Sequence, residues 1–477
     1  LASYSCCALW VIERDGLLVV CLAINPEWGT CMNMLGRFLV CGLSVLLASG
    51  CATTTTYTPR IHAQVDSGKA VAVFLDGTGN DRDSWTNVSR LHDLMVNQDR
   101  QDMAVFYTEG VGSDGRGIGL GVGWGIGKDV REAYQFVARE YATHGEDKLY
   151  VFGFSRGAYA ARILAGLIFM AGLPEMNRLS KDDAARLVDD LYAAYKGDKT
   201  DAERHRLINA VYRQWKLPRR HDVKIEVLGL WDTVEALGLP DYRENPGEVN
   251  RRYVDQICNV KKAYHAMALD DNRARIYTPI LLTRKHLNLR CPDVSLDTVV
   301  EEVWFAGAHA DVGGGMPEGF LSGVSLNWMI SLLESHHLLP VGAAVHADPY
   351  DISHDAENSS FGYDMLFSEK PRRVDDYLAV SDYNGKRLKV HESVLSRLGN
   401  QACVQDRLDR RKQEKPQLKA YESRWHEWPW FTGCFEKTAG GYRMIGGCVD
   451  VVADRPEASQ AAALCPLADT PRQAAAN

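Results

Sequence analysis

Between about residues 69 and 400, short apolar runs alternate with longer stretches in which apolar residues recur every three or four positions. The short runs are Ala70–Leu75, Ala104–Tyr107, Lys148–Phe152, Lys224–Leu230, Val299–Ala306 and one near Arg387–Val390. The strongest are almost continuously apolar, as strands buried on both faces must be. Within Lys128–Tyr141, the residues Val130, Ala133, Tyr134, Val137 and Tyr141 fall at helical spacing. A second helix is expected from just after Gly157 to about Met170. The alternation predicts an α/β fold, a mostly parallel central sheet with helices on both faces. Two charged amphipathic segments, Lys181–Lys196 and Asp201–Lys216, lie between the third and fourth strands. They read as a helical insertion over residues 174–222, either an active-site lid or a plain covering layer.

The pattern changes at both ends. No Met precedes Met32, so residues 1–31 are expected not to belong to the natural protein. Residues 32–51 then read as a lipoprotein-type signal peptide: Arg37, an apolar stretch of about ten residues, and a lipobox-like Leu47-Ala48-Ser49-Gly50-Cys51. That stretch falls well short of the roughly twenty residues a spanning helix needs. A lipidated Cys51 would tether the chain to the periplasmic side of a bacterial envelope membrane, with the Thr-rich residues 52–68 as tether. Residues 401–477 form a C-terminal extension. Trp425, Trp428 and Trp430 are expected to pack on a core there, and the Ala-rich tail to be disordered.

Composition narrows the function. A formal net charge of −8 argues against a nucleic-acid partner. Beyond Cys51 come six cysteines, Cys258, Cys291, Cys403, Cys434, Cys448 and Cys465, an even number that permits disulfides in an oxidising compartment. Cys434 and Cys448 flank a Gly-rich turn and are placed to bridge a hairpin. The Gly-rich stretch Gly117–Lys128 lacks the Ser or Thr that a phosphate-binding P-loop carries after its Lys, and reads as a loop.

The chemistry centres on Gly153-Phe154-Ser155-Arg156-Gly157, directly after a strand and before a small-residue helix. G-x-S-x-G in that setting makes a sharp turn that presents the serine as the nucleophile of an α/β-hydrolase fold. A serine needs a histidine base and a carboxylate to orient it. Asp232 and Asp311 follow strands, and His309 and His391 lie downstream of Ser155. Order along the chain permits Ser155–Asp311–His391, Ser155–Asp232–His391 or Ser155–Asp232–His309. The oxyanion hole is expected from the backbone N–H of Arg156 and one in the loop Leu75-Asp76-Gly77-Thr78-Gly79-Asn80, with Gly77 as the donor and Asp76 as a supporting residue. Two rival readings are a metal-dependent phosphohydrolase using Asp76, Asp232, His309 and Asp311, and a non-catalytic envelope lipoprotein.

Taken together, several motifs resemble the catalytic domain of type VI secretion phospholipase effectors, family 1, over about residues 69–400. They are the Asp76-Gly77-Thr78-Gly79-Asn80 loop, Gly153–Arg162, Trp231-Asp232-Thr233-Val234, His309–Gly315, Ser325–Met329 and His391-Glu392-Ser393-Val394. Met316-Pro317-Glu318 departs from the family pattern, which has an aromatic residue there. The resemblance implies a serine lipase or phospholipase needing no cofactor, with Ser155, Asp311 and His391 as triad and a lipid or other ester as substrate. Asp232 and His309 would then be supporting residues.

Overall fold

The computed structural model describes residues 9–14, 17–22, 56–57, 68–77, 80, 82–110, 124–141, 146–234, 256–273, 279–282, 290–316, 319–356, 371–380 and 387–454. Cys51 and the tail beyond 454 fall outside the described residues. The chain divides into a unit Leu1–Cys51 and a unit Ala52–Asn477. In the first, Leu9–Arg14 pairs antiparallel with Leu17–Leu22. No helix among the described residues is long and apolar enough to cross a membrane.

The second unit is built on a nine-stranded sheet. Its strands are β1 (Thr56–Tyr57), β2 (Ala70–Leu75), β3 (Met103–Thr108), β4 (Lys148–Phe154), β5 (Ile225–Trp231), β6 (Val260–Ala268), β7 (Val300–Phe305), β8 (Leu388–His391) and β9 (Val449–Val452). Across the sheet they run β9-β8-β7-β6-β5-β4-β2-β3-β1, and all neighbours are parallel except β1, which pairs antiparallel with β3. Two residues of the expected tether therefore form an edge strand.

Alternation along the strands divides the core. Val71, Val73 and Leu75 of β2 and Leu149 and Val151 of β4 face α2 (Trp124–Glu140) and α3 (Arg156–Ala171). Ala72, Phe74, Tyr150, Phe152 and Phe154 point the other way, toward α1 (Asn87–Val96) and the later helix Ser322–Leu333. This doubly covered, parallel sheet with a nucleophile-type turn after β4 is an α/β-hydrolase fold.

Helices α4 (Lys181–Tyr195) and α5 (Asp201–Trp215) form the expected insertion. Leu187, Val188, Leu191 and Ile208 bury in the same core as α2 and α3. The two-residue strands Leu173–Pro174 and Arg219–Arg220 close the insertion beside the C-terminal end of α3. Ser155 lies at the other end of that helix, whose length of 16 residues separates the two by roughly 24 Å.

The C-terminal extension belongs to the sheet. β9 adds to β8, and Trp425, Phe431 and Cys434 bury against Trp304, Val390 and Val449. Trp425 is a core residue, while Trp430 is exposed. Disulfides join Cys258 to Cys291 and Cys434 to Cys448.

Candidate active site

Ser155 sits between β4 and α3 with φ 57° and ψ −124°, a backbone conformation that a side-chain-bearing residue adopts only when its surroundings force it. The flanking glycines show the forcing. A Cβ on Gly157 would lie 2.1 Å from the Leu75 carbonyl oxygen, and one on Gly153 2.5 Å from the Gly157 carbonyl oxygen. The Ser155 N–H donates to the Trp231 carbonyl (3.0 Å), which ties the elbow to the end of neighbouring β5.

The residue that directly follows β5 is Asp232, fully buried and at φ 36°. Its Oδ2 accepts from Nδ1 of His309 at 2.6 Å, and its Oδ1 from the Ala268 N–H at 3.0 Å. Both oxygens also take the fork of Arg372, Nη1 to Oδ1 at 2.8 Å and Nη2 to Oδ2 at 3.1 Å. Burial pushes the Asp232 carboxyl up, but the Arg372 charge and the bond from His309 outweigh it and hold the group at about 2. The carboxylate is thus ionised, and its four donors fix its direction.

His309 opens α6 (His309–Gly313) after β7 and is buried. Its ring packs on Phe154, the residue before the serine, with centroids 4.6 Å apart. Its own N–H donates to Asp271 Oδ2 (3.1 Å). With Nδ1 turned to Asp232, Nε2 is the nitrogen that can take a proton.

Further support stands behind Asp232. The Thr233 N–H donates to Nε2 of His265 (3.1 Å), which places that ring's proton on Nδ1, facing Glu302 Oε1 at 2.9 Å. Glu302 also accepts the Leu282 N–H at 2.6 Å. This buried Glu–His pair braces the turn that carries Asp232.

The expected pairing of Asp311 with His391 is not made. Asp311 instead accepts from Nδ1 of His354 (2.6 Å), the His354 N–H (2.8 Å) and the Ala308 N–H (3.0 Å). The Asp311 charge raises the His354 imidazole against the lowering effect of burial. His354 and Met316 line a cavity with Ile352, Arg411 and Leu418. His391 lies at the end of β8, four strands from β4, roughly 19 Å at the usual strand spacing. Its ring stacks on Phe305 at 4.8 Å, Nδ1 accepts from Ser393, and Nε2 faces Asp454 Oδ1 at 3.1 Å. The physical reason is twofold: Asp232 follows β5, beside β4, and the His309 ring reaches Phe154 and Asp232, whereas His391 sits far out on β8 against Phe305.

His391, Glu392 and Asp454 could bring ligand atoms within 4.8 Å of one another. The backbone N–H of Ser393 on Nδ1, however, puts the ring proton on Nε2, where a metal would have to bind. The alternative metal set fares no better. Asp76 accepts from Thr86 Oγ1 (2.6 Å), Tyr107 Oη (2.7 Å) and the Gly77 N–H (2.7 Å), and a guanidinium fork already occupies Asp232.

Gly77 does lie at the elbow, since a Cβ on it would stand 3.2 Å from that of Ser155. Its N–H is directed at the Asp76 carboxylate. Arg156 is the first residue of α3, where first-turn N–H groups have no acceptor within the helix.

Sequence reasoning passed over Arg372, His354, Asp270 and Asp271. The last two had a usable signal, for they follow the apolar Ala266–Leu269 as Asp232 follows β5. The Asp270 carboxyl, pushed up to about 6 by burial and the nearby Glu422, accepts from Gly307 and Ser423.

The strand order and the elbow define the class: this is an α/β-hydrolase-fold protein. The family described as "T6SS, Phospholipase effector Tle1-like, catalytic domain" matches residues 69–332, and the chain belongs to that family. It is similar to an uncharacterized protein of Saccharomyces cerevisiae, YEL023C, at 27% identity over 249 residues, covering 46% of this chain and 34% of that protein. Among solved structures it is similar to an uncharacterized protein from Pseudomonas aeruginosa, with 17% identity, coverage of 63% of this chain and 48% of that one, and a TM-score of 0.29. The Tle1 effector bound to the VgrG spike of the type 6 secretion system gives 20% identity, coverage of 53% and 52%, and a TM-score of 0.27. An esterase from Thermogutta terrifontis with bound propionate gives 14% identity, coverage of 61% and 97%, and a TM-score of 0.31. The chain thus spans about a third of the yeast protein and about half of the first two structures.

Proposed function

We propose that this chain is a serine carboxylester hydrolase of the lipase or phospholipase kind, acting through an acyl-enzyme on Ser155, with His309 as base and Asp232 as the orienting acid. The observation that carries this reading is the 2.6 Å Asp232–His309 pair, with the His309 ring against the residue that precedes the elbow serine. In the reaction, Nε2 of His309 takes the Ser155 hydroxyl proton as Oγ attacks the ester carbonyl. The same nitrogen returns the proton to the leaving alcohol, and water then repeats the sequence to release the acid. First-turn N–H groups of α3, with Arg156 foremost, would stabilise the oxyanion. Gly77 would join them by sharing its N–H between Asp76 and the substrate oxygen. His391 and Asp311 become structural residues in this scheme.

A lipid ester as substrate is supported by the family to which the chain belongs. The Cys258–Cys291 and Cys434–Cys448 disulfides support an oxidising compartment and so an exported protein, in keeping with lipidation at Cys51. The test is Ser155→Ala, which should abolish hydrolysis of short-chain p-nitrophenyl esters and leave the circular-dichroism spectrum unchanged. Turnover retained in that variant would overturn the proposal.

A further inference from the structure

Arg372 is an unusual neighbour for an acid that orients a catalytic histidine. It lies 140 residues from Asp232 in sequence and beyond the end of the family match at residue 332. Its side chain is fully buried. Besides its fork on Asp232, Nη1 donates to the Ala268 carbonyl at 2.7 Å, and its backbone N–H donates to the Asp271 carbonyl at 3.0 Å. Arg372 is therefore fastened at both ends to the chain leaving β6. A guanidinium stays charged at every accessible pH, so its effect on the carboxylate is permanent.

We infer that Arg372 is a positioning residue for the Asp232–His309 pair, fixing the rotamer of Asp232 and compensating part of its charge. The inference rests on the proposed triad. A lone buried carboxylate beside His309 would hold a proton on the imidazole strongly. With Arg372 on its other side, part of the Asp232 charge is already compensated, so the charge that Asp232 presents to its partner depends on Arg372. Meanwhile Oδ2, held by Nη2, stays aimed at Nδ1.

The other ionisable groups around His309 are themselves engaged. Asp271, which accepts the His309 N–H, is paired with Arg273 at 2.9 Å, and charges on Arg273 and Arg372 keep it ionised against the opposing effect of burial. Asp270 accepts from Gly307 and Ser423. Asp311, on the same helix as His309, serves His354. At the same sheet edge, Asp76 accepts from Thr86 and Tyr107, and Arg156 is among the charges acting on Asp129. Arg372 is the cation whose charge bears directly on the carboxylate that His309 uses.

The test compares Arg372→Met, which keeps length and removes charge, with Arg372→Lys, which keeps charge and removes the fork. The readouts are kcat and KM for p-nitrophenyl butyrate from pH 4.5 to 9, and the rate of fluorophosphonate labelling at Ser155. For Arg372→Met, the acid limb of kcat/KM should move up by about one pH unit, with kcat falling more than KM changes. For Arg372→Lys, the limb should stay close to wild type while kcat falls about tenfold. A folded Arg372→Met with the wild-type limb would overturn the inference. If Arg372→Met does not fold, Arg372→Lys decides: an unmoved limb with reduced kcat supports the inference, and a moved limb or wild-type kcat overturns it. Should wild-type Ser155 fail to label, it is the triad itself that has failed. Intact labelling with an unmoved limb in folded Arg372→Met removes only the role of Arg372.

Discussion

Replacing Asp232 with Asn removes one charge from a site where four donors converge on a single carboxylate. An amide has one acceptor oxygen, so it cannot satisfy His309, the Ala268 N–H and both arms of Arg372 together. Holding the carboxyl at about 2 rather than its ordinary 3.8 reflects a net attraction of a few kcal/mol to the charged form. Removing it also leaves the Arg372 guanidinium buried with less compensation, a loss of about 3–5 kcal/mol in stability. In molecules that remain folded, His309 loses the partner that fixes its tautomer, and the chemical step should slow by about 10⁴-fold. Asp311→Asn is the matched control. It weakens the contact with His354 but leaves Asp232 untouched, so its labelling rate should stay within about tenfold of wild type. Both variants are assayed by the initial rate of fluorophosphonate labelling, with urea unfolding to count the folded fraction. Full-rate labelling in folded Asp232→Asn, or a collapse in Asp311→Asn alone, would refute the assignment and favour Asp311 as the acid.

Two other predictions concern the scaffold. Burial, with the neighbouring Glu132 charge, pushes the Asp129 carboxyl up to about 8; in the unfolded chain it would titrate near about 3.9. The folded state therefore keeps a proton that the unfolded chain releases. The resulting stability is fully present below about pH 4 and lost as pH rises through about 8. Asp270 contributes a similar loss only up to about 6, so Asp129→Asn should flatten the decline in melting temperature between pH 6 and 8, and an unchanged slope would refute this. The double variant Cys434→Ser, Cys448→Ser opens a loop with a sequence separation of 14 and should lower stability by about 3 kcal/mol in denaturant melts. Ser155 labelling should persist, because the proposed triad is carried on other strands; its loss in a folded variant would contradict the separation of the two regions.

Sequence patterning revealed the parts of the fold that local physics controls. β2, β4 and β5 are nearly continuous apolar runs, and the Gly–Ser–Gly spacing after β4 implies a turn whose crowding the Gly157–Leu75 approach bears out. β6 was not legible because it begins with the exposed pair Lys261 and Lys262 and carries His265 in its middle. With β6 unread as a strand, the apolar Ala266–Leu269 before Asp270 and Asp271 was not taken for a strand end. Asp232 and His309 were visible as candidates, yet choosing them over Asp311 and His391 requires the side-chain contacts of the folded chain, His309 to Asp232 and Asp311 to His354, since His309 and Asp311 share one helix. Arg372 and His354 have no local signature at all. Each acquires meaning only through contact with a carboxylate distant in sequence, Asp232 or Asp311.

Activation of Ser155 by His309 rather than by His391 is decided by treating wild type, Ser155→Ala, His309→Ala and His391→Ala with a fluorophosphonate and locating the adduct by mass spectrometry. An adduct is expected on Ser155 in wild type and in folded His391→Ala. None is expected in Ser155→Ala, and in His309→Ala the rate should fall by about 10³-fold or more. An adduct elsewhere, or labelling that survives loss of His309 but not of His391, would contradict activation by His309.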